Sequence, residues 1–232
     1  MSETVVGSKR SEDSAKQPLS RNFMLKVYGY EDSPYVMRVE WILKELNIAY
    51  EFVRVDLLSN EQNTNWYLNI SPIGQVPAIE ADGGVRVFDS LAIIKYVALK
   101  SNSTLYPKDF TKQIAVDSWL QFSSFEVGEP ISKLCWQRFW KPKLTKREPD
   151  LSYCERLEKQ LSFGAPKLDR MLGDHEYISG DSFTVADIAA FPLIVLADRA
   201  EFSLDVYPNI ASWVERIKKR PAVSQTQYNF SR

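Results

Sequence analysis

The chain has 232 residues, 44% hydrophobic and 25% charged, a composition typical of a globular protein with one large or two ordinary domains. With 29 basic and 30 acidic residues, its formal net charge of -1 gives no basic surplus that would favour nucleic acid or a membrane surface as partner. No run approaches the length of about eighteen apolar residues that a transmembrane helix needs.

Cysteine and histidine are too scarce to predict a metal centre or a disulfide framework. Cys135 and Cys154 are the two cysteines, and the single histidine, His175, lies in a loop-like Gly-Asp-His-Glu stretch where we expect it to have no role. We expect residues 1–22 to be a disordered tail, because they mix charges with few apolar side chains. The lack of an apolar signal region and the unpaired thiols favour a cytoplasmic protein.

Residues 23–100 show the pattern of a small α/β domain. The predicted elements are a strand at 25–29, a helix opened by Ser33-Pro34, a strand at 50–56, a short helix ending at 68, strands at 77–80 and 85–88 that form a hairpin, and a helix from Asp89-Ser90 to about Lys100. A strand-helix-strand unit followed by a hairpin and a helix is the order of a thioredoxin-like domain.

The rest of the chain lacks a strand pattern. After a linker at 101–110, helical periodicity predicts an all-α domain over 111–222, followed by a C-terminal tail at 223–232. The predicted helices of this domain span 111–139, 151–172, 184–200 and 208–219. Thr184 and Asp187 have the spacing of a capping box. Pro166 and Pro192 fall inside the helical patterns, so we expect a bend at each.

Ser33-Pro34-Tyr35-Val36 stands where thioredoxin-fold oxidoreductases carry Cys-Pro-Tyr-Cys, so dithiol redox chemistry is excluded at this helix N-terminus. Backbone N–H groups and the helix dipole favour a negative charge there. A serine hydroxyl can donate a hydrogen bond to a thiol sulfur and stabilise the thiolate of a group whose ordinary pKa is about 8.5. The alternative is that Ser33 only caps the helix.

Two further motifs suggest a binding site for a peptide-like ligand. Val76-Pro77 ahead of a strand predicts a cis proline that leaves the Val76 backbone free to pair with an extended peptide, the alternative being a plain turn. Asp89-Ser90 places a carboxylate, a hydroxyl and free N–H groups at a helix N-terminus, where they can hold an ammonium and a carboxylate. The γ-glutamyl end of glutathione presents both of these groups.

Together these motifs resemble the soluble glutathione transferases. The resemblance is carried by Ser33-Pro-Tyr with Arg38-Val39, by Ser71-Pro-Ile-Gly-Gln-Val-Pro77, by Phe88-Asp-Ser-Leu-Ala-Ile93, and in the helical half by Phe139-Trp-Lys-Pro142 and Ile178–Asp187. It covers about residues 23–220. The spacings are most like those of the phi class, with a Ser-Pro-aromatic start that is similar to the tau class.

The resemblance implies a homodimer that takes glutathione as a substrate and needs no cofactor. The residues it assigns to glutathione are Ser33 at the sulfur, Val76 and Pro77 at the cysteinyl backbone, Asp89 and Ser90 at the γ-glutamyl group, and Gln75 at the glycyl end. Gln62 and Asn63 stand where phi-class proteins typically carry His and Lys for the glycyl carboxylate. Because charge-assisted hydrogen bonds are roughly twice as strong as neutral ones, this departure predicts weaker binding at that end.

Aromatic side chains crowd the first long helix of the helical half, with six large rings between Trp119 and Trp140. Trp119 is expected in the core. The residues expected to line a cleft for a small hydrophobic electrophile are Tyr35, Phe122, Phe125 and Trp136.

The sequence therefore predicts a serine-type glutathione transferase with a role in detoxification. One alternative is a non-catalytic protein of the same fold that binds a ligand or regulates a partner, which the neutral Gln62 and Asn63 favour. Another is a glutathione-dependent peroxidase or isomerase.

Overall fold

The computed structural model describes residues 25–224, so the predicted tail at 1–22 and the segment 225–232 lie outside the described residues. The first half consists of strand β1 (Leu25–Gly29), helix α1 (Pro34–Glu45), strand β2 (Tyr50–Arg54), a 3-10 turn (Glu61–Asn63), helix α2 (Asn65–Leu68), strands β3 (Ala78–Ala81) and β4 (Val85–Phe88), and helix α3 (Ser90–Lys100). This order confirms the predicted thioredoxin-like half, with strand ends shifted by one or two residues.

The four strands form one sheet in the order β2-β1-β3-β4. Strands β1 and β2 are parallel and are joined through α1, whereas β3 pairs antiparallel with both β1 and β4. The tight connection between β3 and β4 places Gly83 at φ 76° and Gly84 at φ 75°. Glycine adopts this left-handed conformation without steric cost, which is why the Asp-Gly-Gly sequence predicted the hairpin.

Side chains alternate between the two faces of the sheet, and each face is covered. Val27 and Ile79 belong to the main core with α1 and α3, whereas Tyr28 and Ala78 pack in a smaller cluster with Tyr67 of α2. The strand period of two therefore assigns each residue to a layer. Helices α1 and α3 lie side by side on the face that continues into the helical half.

The second half is entirely helical within the described residues. It contains α4 (Phe110–Phe122), a π-helical stretch (Ser123–Gly128), α5 (Glu129–Cys135), a second π-helical stretch (Trp136–Trp140), α6 (Lys141–Thr145), α7 (Leu151–Asp174), α8 (Val185–Ile194), α9 (Pro208–Lys218) and α10 (Pro221–Ser224). Helix α4 begins at Phe110, the last residue of the predicted linker. Helix α10 includes residues 223 and 224, the first two of the predicted C-terminal tail.

The first helical rod runs from Phe110 to Thr145, six residues beyond the predicted end, and passes through Pro130 and Pro142. Each proline follows a π-helical stretch. The altered hydrogen-bond spacing of that stretch accommodates the proline ring and the absence of a proline N–H. The Glu129 N–H bonds the carbonyl of Ser124, so the Phe125 carbonyl has neither an α-helical nor a π-helical partner.

The Phe125 carbonyl instead accepts a hydrogen bond from a neighbouring helix. Gln160 of α7 donates its Nε2 to the Phe125 oxygen at 3.1 Å. Gly164, one turn further on, approaches the Glu126 carbonyl so closely that an added Cβ would lie 2.4 Å from its oxygen. The α7 backbone therefore packs directly against the π-helical stretch, and no larger residue fits at 164.

Prolines in the later helices have different outcomes. Helix α7 is 24 residues long and continues through Pro166 without a break. Helix α8 ends at Ile194, two residues after Pro192, so the predicted helix at 184–200 is six residues too long. Turns that end near Glu201 replace its last part.

One hydrophobic core runs through both halves. Trp41 of α1 is fully buried, with its ring 5.2 Å from that of Phe191 in α8 and 5.6 Å from that of Phe183. Fully burying a large apolar side chain contributes about 1.5–3 kcal/mol. The two halves are thereby fixed relative to each other along α1 and α8.

Asp187 organises the start of α8. Its Oδ2 accepts from the Thr184 N–H at 2.9 Å, while Oδ1 accepts from the Ile178 N–H at 3.0 Å and from the Trp213 indole at 2.9 Å. Burial raises the pKa of this carboxyl to about 6, and the three donors oppose that rise. The capping box that the sequence predicts is confirmed, and it also ties α8 to α9.

Asp187→Ala should destabilise the fold severely, because it leaves three buried N–H donors without an acceptor. We expect a loss of at least about 3 kcal/mol in the free energy of unfolding, since each unsatisfied group costs about 1–3 kcal/mol. Urea unfolding followed by circular dichroism measures it. Asp181→Ala, whose side chain is 81% exposed, is the matched control and should unfold like the parent. Equal stability of the two variants would contradict the assigned role.

Candidate functional site

A cavity of about 930 Å³ lies between the two halves, beside the N-terminus of α1. Its walls include every residue proposed from the sequence except Asn63 and Phe122. The residues concerned are Ser33, Tyr35, Gln62, Gln75, Val76, Pro77, Asp89 and Ser90 from the first half, and Phe125 and Trp136 from the second.

Ser33 is the N-cap of α1 and faces this cavity. Its Oγ accepts a hydrogen bond from the Val36 N–H at 3.4 Å, which is long for such a bond, and the side chain is 8% exposed. Pro34 occupies the first helical position, where the absence of an N–H costs nothing. The cap is therefore weak, and the hydroxyl hydrogen can point into the cavity.

The bond between Val76 and Pro77 is cis, as the sequence predicts. The preceding carbonyl, that of Gln75, accepts from Tyr67 Oη at 2.8 Å and from Ser71 Oγ at 2.9 Å. Among the described residues, none forms a hydrogen bond with the Val76 N–H or carbonyl. An extended ligand can pair with these two groups as an additional strand would.

Asp89 and Ser90 meet the same cavity at the start of α3. Asp89 has φ 69°, which is uncommon outside glycine, and its Oδ1 accepts from the N–H groups of Leu91 at 2.9 Å and Ala92 at 3.2 Å. The hydroxyl of Ser90 accepts from Nη1 of Arg38 at 3.0 Å. A carboxylate, a hydroxyl and a guanidinium are thus assembled at one end of the cavity.

Gln62 and Asn63 stand where phi-class proteins typically carry His and Lys, and of the two only Gln62 lines the cavity. Gln62 lines it, and its Oε1 is buried without a hydrogen-bond partner. Asn63 is exposed and is not part of the cavity wall, and its Nδ2 donates to Oδ1 of Asn60 at 2.6 Å, so its contact with glutathione stays a prediction. Asn60 adopts φ 63°, and its Oδ1 accepts from the side chains of both Gln62 and Asn63.

Phe122 is also misplaced by the sequence interpretation. Its ring packs edge-to-face on Trp119, at 5.6 Å and 89°, and contributes to a separate shallow depression beside α7. The π-helical stretch begins at the next residue, so the side chains that follow do not continue the face of α4. Phe125 is 50% exposed and Trp136 is 46% exposed, and both remain in the cavity wall.

Glu129 and Arg38 lie in the cavity wall but were not named as site residues in the sequence analysis. Tyr35 Oη donates to Oε1 of Glu129 at 2.8 Å, which joins the two halves across the cavity. Burial, followed by the negative charge of Glu129, raises the pKa of Tyr35, so its hydroxyl stays protonated. Arg38 lies under the Tyr35 ring, 5.1 Å from its centroid. No local signal identifies Glu129, because its role depends on a contact between residues 94 positions apart.

Cys135 lies in the same wall but does not supply a thiolate. It is fully buried, and burial raises the pKa of its thiol to about 11.

Residues 25–224 contain no group of three or more His, Cys, Asp or Glu side chains arranged to hold a metal ion. None of the helices in that range is both long and apolar enough to span a membrane.

Comparison with known proteins agrees with this architecture. Residues 27–104 match the family model of the glutathione S-transferase N-terminal domain, and residues 152–216 match that of the C-terminal domain. The chain is 32% identical over 203 residues to glutathione S-transferase PARB of Nicotiana tabacum, covering 85% of this chain and 94% of the relative. Glutathione S-transferase F6 of Arabidopsis thaliana is 31% identical over 207 residues, which cover 87% of this chain and 98% of that protein.

Solved structures give the same result. The crystal structure of glutathione transferase F7 from Populus trichocarpa superposes with a TM-score of 0.80 at 27% identity, covering 87% of this chain and 97% of that one. The element order, the cavity between the halves and the extent of these matches lead to one conclusion: the chain belongs to the glutathione S-transferase family.

Proposed function

We propose that the protein conjugates the thiolate of glutathione to a small hydrophobic electrophile, with Ser33 as the catalytic residue. The observation that carries this proposal is the hydroxyl of Ser33 at the N-terminus of α1, in the same cavity as Val76, Asp89 and Ser90. A sulfur held there receives a hydrogen bond and the positive end of a helix dipole. Both favour its anionic form and lower the pKa of the thiol.

Glutathione would lie along the first half of the cavity. Its cysteinyl backbone would pair with the free N–H and carbonyl of Val76, next to Pro77. Asp89 and Ser90 would hold the γ-glutamyl group, with Gln75 and Gln62 toward the glycyl end. The unpartnered Oε1 of Gln62 supports a polar contact there. Glutathione serves as a substrate in this scheme, and no cofactor is required.

Ser33→Ala should lower the rate of conjugation by about 10²–10³ while glutathione affinity changes only a few-fold. The reason is that the hydroxyl acts on the sulfur, whereas binding is spread over the γ-glutamyl and backbone contacts. Steady-state turnover of an aryl halide and calorimetric binding of glutathione measure the two effects.

Ser33→Thr, which keeps the hydroxyl and the cap, is the matched variant and should retain most of the turnover. A melting curve separates the loss of the helix cap, worth about 0.5–2 kcal/mol, from the loss of chemistry. Full activity in Ser33→Ala would leave Ser33 as a cap only.

The electrophile would bind against the second half of the cavity. Tyr35, Phe125 and Trp136 present aromatic surface there, together with Trp140 and Tyr153. Aromatic walls with a few polar groups are typical of sites for small apolar molecules.

Trp136→Ala should raise KM for an aryl halide by about fivefold, which corresponds to about 1 kcal/mol of lost apolar contact. The measurement is KM at saturating glutathione. Phe122→Ala is the control, because that ring packs away from the cavity, and its KM should stay within about twofold of the parent value. A larger effect of Phe122→Ala than of Trp136→Ala would contradict the assignment of the electrophile site.

We further propose that the protein is a homodimer. Apolar side chains are exposed on the edge strand β4, on α3 and on α4: Val85 44%, Phe88 39%, Leu99 52%, Phe110 74% and Ile114 50%. Where such side chains form a continuous patch, they favour a protein interface over solvent. The near-zero formal charge offers little repulsion against association.

Light scattering at micromolar concentration should return twice the 26.7 kDa of one chain. Phe110→Lys should shift the mass toward that of a monomer, because it places a charge in the proposed interface. Phe163→Lys, at a ring that is 60% exposed on α7, is the control and should leave the mass unchanged. A monomeric parent would refute the proposal.

The finer class and the setting follow from the same features. We place the protein near the phi class, with a Ser-Pro-aromatic start that is similar to the tau class, and in the cytoplasm with a role in detoxification. A non-catalytic ligand-binding or regulatory protein is the second candidate, favoured by the neutral Gln62 and Asn63. A glutathione-dependent peroxidase or isomerase would share the thiolate site and differ only in the second substrate.

A further inference from the structure

The charged side chains that the helical half brings to the cavity wall are Glu129 and Lys133. They lie one turn apart on α5, with Glu129 Oε2 3.6 Å from Lys133 Nζ. Among the described residues, the other charged members of the wall are Asp32, Arg38 and Asp89, all from the first half. The charge that an electrophile meets in the helical half therefore comes from one acid and one base.

Glu129 and Lys133 differ in their access to solvent. The side chain of Glu129 is 18% exposed, whereas that of Lys133 is 50% exposed. Water and salt screen the exposed member of such a pair, so the pair itself contributes little. A charge that is mostly out of water acts more strongly on its neighbours. The carboxylate therefore dominates the field inside the cavity, while the ammonium lies toward solvent.

Tyr35 adds to this difference. Its Oη donates to Glu129 Oε1 at 2.8 Å across the cavity, and this hydrogen bond stabilises the carboxylate charge. Burial, followed by the charge of Glu129, raises the pKa of Tyr35, so the hydroxyl keeps the proton that it donates. With its hydrogen directed at Glu129, the Tyr35 oxygen has only acceptor capacity left for a ligand. This part of the wall thus offers oxygen acceptors and a negative charge.

Glu129 lies among the rings proposed for the electrophile. Phe125 precedes it by four residues and Trp136 follows it by seven, and all three line the cavity. On the opposite wall, Tyr35 is two residues after Ser33, where the sulfur is proposed to lie. An electrophile that packs on these rings and faces the sulfur would therefore have its substituents within the field of the carboxylate.

We propose that Glu129 is a specificity-determining residue, which makes the site select electrophiles with a neutral or hydrogen-bond-donating substituent over those with an anionic one. The inference rests on the proposed function and adds the class of its second substrate. A carboxylate on the electrophile would meet the charge of Glu129 in a partly dehydrated space, whereas an amide N–H would donate to it. Glu129 takes no part in bond making in this scheme.

The test uses two aryl chlorides, a chlorodinitrobenzamide and the matching chlorodinitrobenzoate, in which two nitro groups flank the chlorine and the amide or carboxylate lies opposite it. In both, the glutathione thiolate forms a C–S bond at the ring carbon, and the C–Cl bond breaks as chloride leaves with its electron pair. The assay measures kcat/KM of the full chain for each chloride, after subtraction of the uncatalysed rate.

Glu129→Gln should raise the benzoate-to-benzamide ratio of kcat/KM about tenfold over that of the parent. The reason is that glutamine keeps an acceptor for Tyr35 but removes the charge. The intrinsic reactivity of the two chlorides cancels when the variant is compared with the parent. A change in the thiolate of glutathione cancels as well, because it affects both chlorides equally.

Two further variants separate charge from structure. Lys133→Met removes the cation that opposes Glu129, so the ratio should fall about threefold below that of the parent. Glu126→Gln is the matched control, because Glu126 is an exposed carboxylate three residues before Glu129 and lies outside the cavity wall. Its ratio should equal that of the parent.

The outcomes separate this inference from the proposed function. If Glu129→Gln lowers kcat/KM for both chlorides by the same factor, Glu129 is only structural and the inference is overturned, while conjugation stands. If Glu129→Gln does not fold, Lys133→Met decides, because a ratio that stays the same or rises overturns the inference. A parent that conjugates neither chloride refutes the proposed function, and the inference falls with it.

Discussion

The contact between α1 and α8 is the constraint on which the rest of the structure depends. Trp41 fills the space between the two halves, while Arg38, one turn before it, donates to the backbone of α8. Both residues lie on the buried side of α1. With that side fixed, the N-terminus of α1 has one orientation, and Ser33 faces the cavity between the halves. A site that needs a reacting sulfur at a defined place benefits from this rigidity, because it depends on side chains held by packing rather than on a loop.

Prolines in the first helical rod shape the other wall of the cavity. A regular α-helix from Phe110 to Thr145 would run past the first half with one continuous face. The π-helical stretches before Pro130 and Pro142 change which residues face inward, and they bring Phe125, Glu129 and Trp136 to the cavity. The first of these stretches is accommodated by α7, where the Gln160 side chain bonds the Phe125 carbonyl and Gly164 leaves room for the Glu126 backbone. The shape of this cavity wall is therefore set by backbone irregularity as well as by the identity of the rings.

Local signals in the sequence predicted much of this structure. The serine and proline that begin α1, the Asp-Gly-Gly hairpin and the capping box of α8 each act within a few residues, so the sequence contains the whole interaction. Long-range partners could not be predicted in the same way. Nothing near Phe122 shows that the helical register changes at Ser123, since the cause is Pro130 and the compensating Gln160 lies 35 residues beyond Phe125. Glu129 and Arg38 were missed for the same reason, because their roles come from contacts across the two halves.

Charge is distributed unevenly along the cavity, and this bears on how a tripeptide would be held. At the end proposed for the glycyl group, Gln62 offers a neutral amide, and the exposed Asn63 donates to Asn60. At the opposite end, the Ser90 hydroxyl and the Arg38 guanidinium lie together out of water, while the Asp89 carboxylate beside them is exposed. Electrostatic interactions gain strength where solvent is excluded and lose it where charges are exposed and screened. Most of the binding free energy for glutathione should therefore come from the end formed by Ser90 and Arg38, and binding should depend less on ionic strength than it would with an exposed lysine at position 63.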